Sequence, residues 1–169
     1  EELNYLTLSV KDTSEDDKNE TIFLDKLLID CMSEFKLRAE KEKRDIYIKV
    51  IPENAKIVSN YNKIQRIIVN LIGNAFKYSP SGTKIEIVAE IKNQELSISI
   101  IDEGCGIKEE EIDNIFKRLY RVEASRNMKT GGYGLGLAIA KQLALQINGD
   151  ILVESEYGKG SKFTLKINC

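Results

Sequence analysis

Two asparagines and a lysine recur on one face of a predicted helix within the segment NLIGNAFKYSP, residues 70–80. At about 100° per residue, Asn70, Asn74 and Lys77 fall in one polar sector, away from a stripe of isoleucine and leucine. Amide oxygens are hard ligands that suit Mg²⁺, which usually keeps nucleotide phosphate oxygens in its shell, and a lysine adds a point charge for phosphate. The segment predicts a magnesium and phosphate site, with an ordinary solvated helix face as the alternative.

An aspartate and two glycines form a second constellation in DEGCGI, residues 102–107. Asp102 ends a predicted buried strand, where its carboxylate could accept a hydrogen bond from the exocyclic amine of an adenine ring. Gly104 and Gly106 would let the backbone pass close to a flat ring. A plain turn between a strand and a helix also favours Asp and Gly, so this segment alone leaves both interpretations open.

Four glycines stand directly before a predicted helix in GGYGLGLAIA, residues 131–140. Free backbone N–H groups and the positive end of the helix dipole would face a phosphate chain there. Before them, residues 117–131 show no clear periodicity and carry several cations, which predicts a mobile loop able to close over polyphosphate. A last glycine segment, GKGSKFTL at 158–165, is equally consistent with a simple turn between two strands.

Hydrophobic periodicity predicts the elements that position these residues. Apolar residues at helical spacing indicate one helix from Leu24 to Ala39, a second that Pro80 ends, and a third from about 133–135 to 147. Alternating patterns predict a hairpin whose turn is Asn93-Gln94, and further strands at 46–51, near 57–58, from 151 and from 161. The predicted fold is α+β: a two-layer α/β sandwich in which three helices cover one face of a mixed, mainly antiparallel sheet.

Composition excludes several classes of function. The chain has 169 residues, 31% of them charged, and a net charge of −2, which gives no support for nucleic-acid binding. No apolar stretch approaches the roughly 20 residues that span a bilayer. Three cysteines and no histidine cannot complete a zinc site, and they favour a reducing, cytoplasmic setting.

In their order, these segments resemble the ATP-binding catalytic domain of bacterial two-component sensor histidine kinases, members of the GHKL superfamily of gyrases, heat-shock chaperones, kinases and MutL. The resemblance implies a Bergerat-type ATP-binding fold over residues 21–169, and LNYLTLSV within residues 1–20 is similar to the end of an upstream dimerisation helix and its linker. The matching segments are NLIGNAFKYSP as the N box, DEGCGI as the first glycine box, IFKRLYRVE as the F box, GGYGLGLAIAK as the second glycine box, and GKGSKFTL as the final glycine turn.

The resemblance also implies roles for individual residues, with ATP and Mg²⁺ as cofactors. The metal ligands would be Asn74 and, assisting it, Asn70, while Lys77 and Tyr78 would contact the nucleotide. Asp102 would bind the adenine amine in a pocket shaped by Gly104, Gly106 and Ile107. The lid arginines Arg121 and Arg126 would reach the phosphates, and the triphosphate would be lined by Gly132, Gly134, Leu135 and Gly136. The sequence departs from the family pattern at Leu119, where an aromatic residue is usual, and at Tyr133, where a small residue is commoner. Both departures bear on how the lid packs.

Asn70 distinguishes between branches of the superfamily. The ATPase branches carry a glutamate here as the general base for water, whereas an amide cannot usefully accept a proton. Phosphoryl transfer needs mainly positioning and charge neutralisation, so the sequence favours transfer of the γ-phosphoryl group over hydrolysis. Two alternatives remain: a nucleotide-sensing pseudokinase module, and a GHKL ATPase or serine kinase.

The chain contains no histidine, so the phosphoryl acceptor must lie elsewhere. The resemblance implies a histidine on an upstream dimerisation domain, and then an aspartate on the receiver domain of a response regulator. It also implies a homodimer for the full-length protein, with this segment monomeric, cytoplasmic and belonging to a parent anchored in the cell membrane.

Overall fold

The computed structural model describes residues 18–120 and 134–169. In chain order, the helices and strands of these residues are β1 (Glu20–Phe23), α1 (Leu24–Ser33), α2 (Lys36–Glu42), β2 (Asp45–Ile51), β3 (Lys56–Ser59), α3 (Tyr61–Tyr78), β4 (Lys84–Lys92), β5 (Glu95–Asp102), α4 (Glu109–Ile112), α5 (Gly136–Gln146), β6 (Gly149–Glu156) and β7 (Gly160–Asn168).

Five strands form the main sheet in the order β2-β4-β5-β7-β6. β2 runs parallel to β4, and every other neighbouring pair is antiparallel. Alternate residues of the central strands point to one face and are fully buried, among them Ile85, Ile87, Ile98, Ile100 and Leu165. The helices α1, α3 and α5 pack in contact with this sheet, and α3 also contacts α1 and α5. The predicted two-layer α+β fold is confirmed.

Helix α3 carries the predicted polar face. Its amino end is capped by Asn60, whose side-chain oxygen accepts a hydrogen bond from the Lys63 backbone N–H at 2.9 Å. Its carboxyl end stops at Tyr78 because Ser79, which precedes Pro80, has an extended backbone. The buried side of the helix holds the apolar stripe Ile64, Ile67, Ile68, Leu71, Ile72, Ala75 and Phe76, which leaves the opposite side for chemistry.

The single helix predicted from Leu24 to Ala39 is wrong, because the chain forms α1 and α2 with a break at Glu34 and Phe35. The Phe35 ring stacks on the Phe76 ring of α3 with centroids 5.1 Å apart. This contact joins residues that are distant in the sequence, so local periodicity could not reveal it.

Two elements were not predicted. β1 pairs with β3 in a separate two-stranded antiparallel sheet, with Ile22 opposite Ile57, and the four-residue helix α4 follows the DEGCGI segment. The predicted upstream helix lies outside the described residues. Within the described ranges, no helix combines the length and apolar character needed to cross a membrane.

Candidate nucleotide-binding site

Asn70 lies where α3 meets the first residue of α5. Its side-chain N–H donates to the Arg66 carbonyl oxygen at 2.8 Å, within the same helix. Its side-chain oxygen lies so near Gly136 that a Cβ there would approach it to 2.9 Å. The residue before the helix, Leu135, supplies no side-chain cap, and the first backbone N–H groups of an α-helix have no acceptor within the helix itself.

A pocket of about 320 Å³ opens beside this junction. It is lined by Glu34, Gln65, Arg66, Val69, Asn70, Leu135, Gly136 and Ile139. The structure thus brings together three predicted site residues, Asn70, Leu135 and Gly136, although they lie in two segments of the sequence. A helix amino terminus beside an amide and an arginine is suited to anionic groups.

Asp102 ends β5 as a buried carboxylate, with only 6% of the residue exposed. The Gly104 backbone N–H donates to its Oδ1 at 2.8 Å. Burial raises the pKa of Asp102 to about 6, while the backbone N–H groups of Gly104 and Ser161 and the positive charge of Arg44 act in the opposite direction. Such a group retains acceptor capacity for one further donor.

Gly104 is placed where no larger residue fits. A Cβ at this position would lie 2.6 Å from Asp102 Oδ1 and 2.7 Å from the Tyr78 carbonyl oxygen. The same carbonyl accepts a hydrogen bond from the Cys105 backbone N–H at 3.3 Å. The end of α3 therefore contacts the loop that holds Asp102, through a backbone group that sequence patterns do not identify.

The last glycine segment is a turn between β6 and β7, and it also supports the loop at 102–107. The Gly158 N–H donates to the Cys105 carbonyl at 2.7 Å, and a Cβ at Gly160 would lie 2.0 Å from the Asp102 carbonyl oxygen. Gly106 has a φ of +65°, and a Cβ there would lie 2.1 Å from the Glu156 carbonyl. For GKGSKFTL and for DEGCGI, a role as a turn and a role in a binding site are therefore compatible.

Two further predicted site residues, Ile107 and Lys77, have defined contacts in the structure. The Ile107 N–H donates to the Ser155 hydroxyl at 2.8 Å, and that hydroxyl also lies 2.9 Å from the Ser161 hydroxyl. Lys77 Nζ lies 5.2 Å from the centre of the Tyr78 ring. The sequence pattern does not identify Ser155 and Ser161 as supports of this loop. Alternation along a strand predicts only which face of the sheet a side chain is on, and not which groups it contacts.

The predicted lid arginines Arg121 and Arg126 lie outside the described residues, as do Tyr133 and Gly132, which was predicted to line the triphosphate. Leu119 lies just before them, 70% exposed and with a φ of +62°, in the left-handed region that a leucine rarely adopts. Its N–H donates to the Gly134 carbonyl at 3.1 Å. This bond joins the two ends of the predicted lid segment. Leu119 is also the position where the sequence lacks the family's aromatic residue.

The donor set fits a magnesium ion that is shared with a nucleotide. Among residues 18–120 and 134–169, no cluster of three or more Cys, Asp or Glu side chains could hold a metal ion by itself. Asn70 and Asn74 lie one turn apart and are partly exposed on the same side of α3. Two neutral oxygens are too few for a protein-only site, but they suit Mg²⁺ that takes its other ligands from phosphates and water.

The sequence is similar to a protein family and to individual histidine kinases. Residues 59–169 match the family described as histidine kinase-, DNA gyrase B- and HSP90-like ATPase. The histidine protein kinase SaeS of Staphylococcus epidermidis is 42% identical over 150 residues, which cover 88% of this chain and 43% of that protein. SaeS of Staphylococcus aureus is 40% identical over 151 residues, with the same coverage. The chain therefore spans less than half of the length of these relatives.

Solved structures share the fold. The catalytic domain of the histidine kinase ThkA, without nucleotide, superposes with a TM-score of 0.79 at 24% identity, covering 89% of this chain and 95% of that one. Full-length ShkA in complex with AMPPNP gives a TM-score of 0.78 at 23% identity, covering 89% of this chain and 31% of that one.

Proposed function

The chain belongs to the histidine kinase-, DNA gyrase B- and HSP90-like ATPase family and is a catalytic domain of the histidine kinase type; from this premise we propose that it binds Mg·ATP and transfers the γ-phosphoryl group to a histidine outside residues 1–169. The coarser statement, nucleotide binding, is supported by the family and by the AMPPNP complex of the structural relative ShkA. The finer assignments rest on the geometry of the site.

The observation that carries the proposal is the buried Asp102 carboxylate at the start of a loop that contains two glycines, Gly104 and Gly106. Burying an ionisable group is costly unless it has partners; here the backbone N–H groups of Gly104 and Ser161 interact with the carboxylate, which has lone pairs for further donors. An adenine amine would supply a further donor. Gly104 lets the loop pack directly against Asp102 and the end of α3, because a Cβ there would collide with the Asp102 side chain and with the Tyr78 carbonyl.

The phosphates would lie at the other end of the site, against the first turn of α5. Asn70 and Gly136 meet there, and Arg66 lines the same pocket. Asn74 and Asn70 would hold Mg²⁺, which would neutralise charge on the phosphates. In the family's pattern, Lys77 and Tyr78 contact the nucleotide, and Arg121, Arg126 and Gly132 complete the phosphate site from the lid.

Asn70 favours transfer over hydrolysis. Its amide hydrogen bonds to the Arg66 carbonyl, and an amide cannot remove a proton from water. A histidine acceptor is already a nucleophile and does not need such a base. No observation in the described residues favours a pseudokinase module, an ATPase or a serine kinase.

Because this chain has no histidine, the proposed phosphoryl transfer needs an acceptor outside residues 1–169. We place the acceptor on an upstream dimerisation domain, following the family's pattern; the chain spans only 43% of the length of its SaeS relatives. The phosphoryl group would then pass to the receiver domain of a response regulator. In this proposal the full-length protein is a homodimer anchored in the membrane, and the present segment is its cytoplasmic catalytic part.

Calorimetry of an ATP analogue, with and without Mg²⁺, tests the proposed site. We expect Asn74→Ala to weaken binding only when Mg²⁺ is present, and Asp102→Ala to weaken it under both conditions, by about tenfold or more since each removes a buried or charged contact. Asp25→Ala is the matched control, because Asp25 is exposed on α1. Binding by both site variants at the strength of the control would contradict the assignment.

A further inference from the structure

Arg44 lies directly before β2, and its side chain is 2% exposed. All five guanidinium N–H groups have acceptors nearby. Nε donates to Glu42 at 2.5 Å, and Nη1 donates to the Ser79 hydroxyl at 2.7 Å and to the Thr83 hydroxyl at 3.3 Å. Nη2 donates to the carbonyl oxygens of Phe76 at 3.1 Å and Ser79 at 2.7 Å.

Most of these acceptors belong to the carboxyl end of α3. The last carbonyls of a helix have no partner within it, and a cation there also interacts favourably with the helix dipole. The Arg44 guanidinium carbon lies 5.0 Å from the centre of the Phe76 ring, so the cation is fixed against a buried side chain as well. Arg44 thus binds the free carbonyls at the end of α3 and holds its last turn in place.

The last turn of α3 in turn supports the loop that carries Asp102. Tyr78 lies between the two carbonyls that Arg44 binds, and its own carbonyl accepts the Cys105 N–H. Gly104 packs against that same carbonyl and donates to Asp102. A continuous set of contacts therefore runs from Arg44 through α3 to the carboxylate.

Arg44 also acts on Asp102 by charge. Burial is the largest influence on the pKa of Asp102 and raises it, whereas the positive charge of Arg44 lowers it. Among the described residues, Cys105 also interacts with Asp102: its own pKa is raised mainly by burial and further by the charge of Asp102. Arg44 is the cation that favours the ionised form of this carboxylate.

Arg38 provides a natural comparison. It donates to the same Glu42 at 2.6 Å and to the same Phe76 carbonyl at 3.0 Å, and its guanidinium carbon lies 5.4 Å from the centre of the Phe76 ring. However, its side chain is 44% exposed, and its charge is not among the influences on Asp102. It shares Glu42 and Phe76 with Arg44, but not the bonds to Ser79 or the influence on the carboxylate.

We propose that Arg44 is a positioning residue of the nucleotide site: it holds the last turn of α3 so that the loop at 102–106 presents Asp102 to the adenine amine. This proposal rests on the proposed function, since it takes Asp102 as the adenine acceptor. Arg44 acts through α3 and the loop, and not by contact with the nucleotide.

The test compares the parent chain with Arg44→Lys, Arg44→Gln and the control Arg38→Gln. One readout is the affinity for an ATP analogue with Mg²⁺. The other is made without nucleotide: the amide NMR signals of Gly104 and Cys105, and a pH titration of the Asp102 carboxyl carbon. With no histidine in the chain, no imidazole titrates near the pKa of this carboxyl.

We expect Arg44→Lys, which keeps the charge but loses the forked hydrogen bonds, to bind about tenfold more weakly, with the Asp102 pKa close to that of the parent. Arg44→Gln should bind more weakly still, with displaced Gly104 and Cys105 signals and a higher Asp102 pKa. Arg38→Gln should bind within about twofold of the parent, because it breaks only partly exposed contacts.

Folded Arg44 variants that bind as the parent does would overturn the proposal, and so would a control that weakens binding as much as they do. If Arg44→Gln does not fold, Arg44→Lys decides the result. If the parent itself fails to bind the analogue, the proposed function is at fault. The nucleotide-free titration then still decides whether Arg44 controls the loop and its carboxylate.

Discussion

At the scale of single residues, Asp102 combines its proposed role in binding with a cost to the stability of the fold. Its pKa is raised from 3.8 to about 6, mainly by burial. The folded chain therefore holds this proton more tightly than the unfolded chain does. The stabilising contribution is fully present below pH 3.8 and is lost as the pH rises through about 6. At neutral pH the buried carboxylate makes the nucleotide-free fold less stable than a neutral group would.

We accordingly expect Asp102→Asn to raise the free energy of unfolding of the nucleotide-free chain by about 1–2 kcal/mol at neutral pH, while greatly weakening ATP binding. The amide oxygen can still accept the Gly104 N–H, but the charge is gone. Urea unfolding at several pH values measures the effect. The gain should vanish at about pH 4, where the parent carboxyl is also protonated, and a gain that does not change with pH would contradict this account.

At the scale of elements, the approach of α5 to α3 depends on the absence of a side chain at Gly136. A Cβ at Gly136 would lie 2.9 Å from Asn70 Oδ1, which is too close for an undisturbed contact. The first turn of α5 can present its N–H groups to phosphate only if this spacing is kept. The proposed phosphate end of the site therefore depends on the packing of two helices and not on either motif alone.

Gly136→Ala should displace Asn70 or the start of α5 and weaken binding of an ATP analogue by about tenfold, since a positioned charge-assisted contact is worth about 1.5–3 kcal/mol. Gly73→Ala on α3 is the control. A Cβ there would make an ordinary contact of 3.8 Å with the Phe35 ring. It should leave binding unchanged and stabilise the fold by about 0.5–1 kcal/mol through helix propensity. Calorimetry and thermal unfolding measure both variants, and equal binding by the two would argue against this packing.

At the scale of the whole molecule, the chain carries the proposed ATP site but has no histidine. We expect the isolated chain to bind Mg·ATP without becoming phosphorylated on histidine, and to hydrolyse ATP slowly because Asn70 cannot act as a general base. Incubation with radiolabelled ATP, followed by acid and base treatment, tests this. Addition of a histidine-bearing dimerisation domain from the same parent protein should produce an acid-labile label on that domain.

The outcomes separate the alternatives. An acid-labile phosphoryl group on the isolated chain would contradict the proposal. Tight Mg·ATP binding without any transfer to the added domain would favour a nucleotide-sensing module. Rapid Mg²⁺-dependent hydrolysis by the isolated chain would favour an ATPase.

Local patterns in the sequence were sufficient for most of the fold. Alternation predicted the β4–β5 hairpin with its turn at Asn93 and Gln94, both of which have positive φ in the structure. The apolar stripe and Pro80 predicted α3 and its end. These features depend on residues that are close in the chain, where periodicity and backbone preferences act directly. Family resemblance added the order of the motifs and hence the expected partners of the site.

The tertiary structure decided what depends on contacts between distant residues. The stacking of Phe35 on Phe76 accompanies the break between α1 and α2, and β1 pairs with β3 across the intervening helices. The turn at Gly160 packs against Asp102, and Arg44 reaches the end of α3. Each joins segments that are far apart in the sequence, and the free energy of such contacts comes from burial and hydrogen bonds that no local pattern records. The sequence by itself determined which residue types the site uses, whereas the packing of α3, α5 and the loop at 102–107 decided how those residues meet.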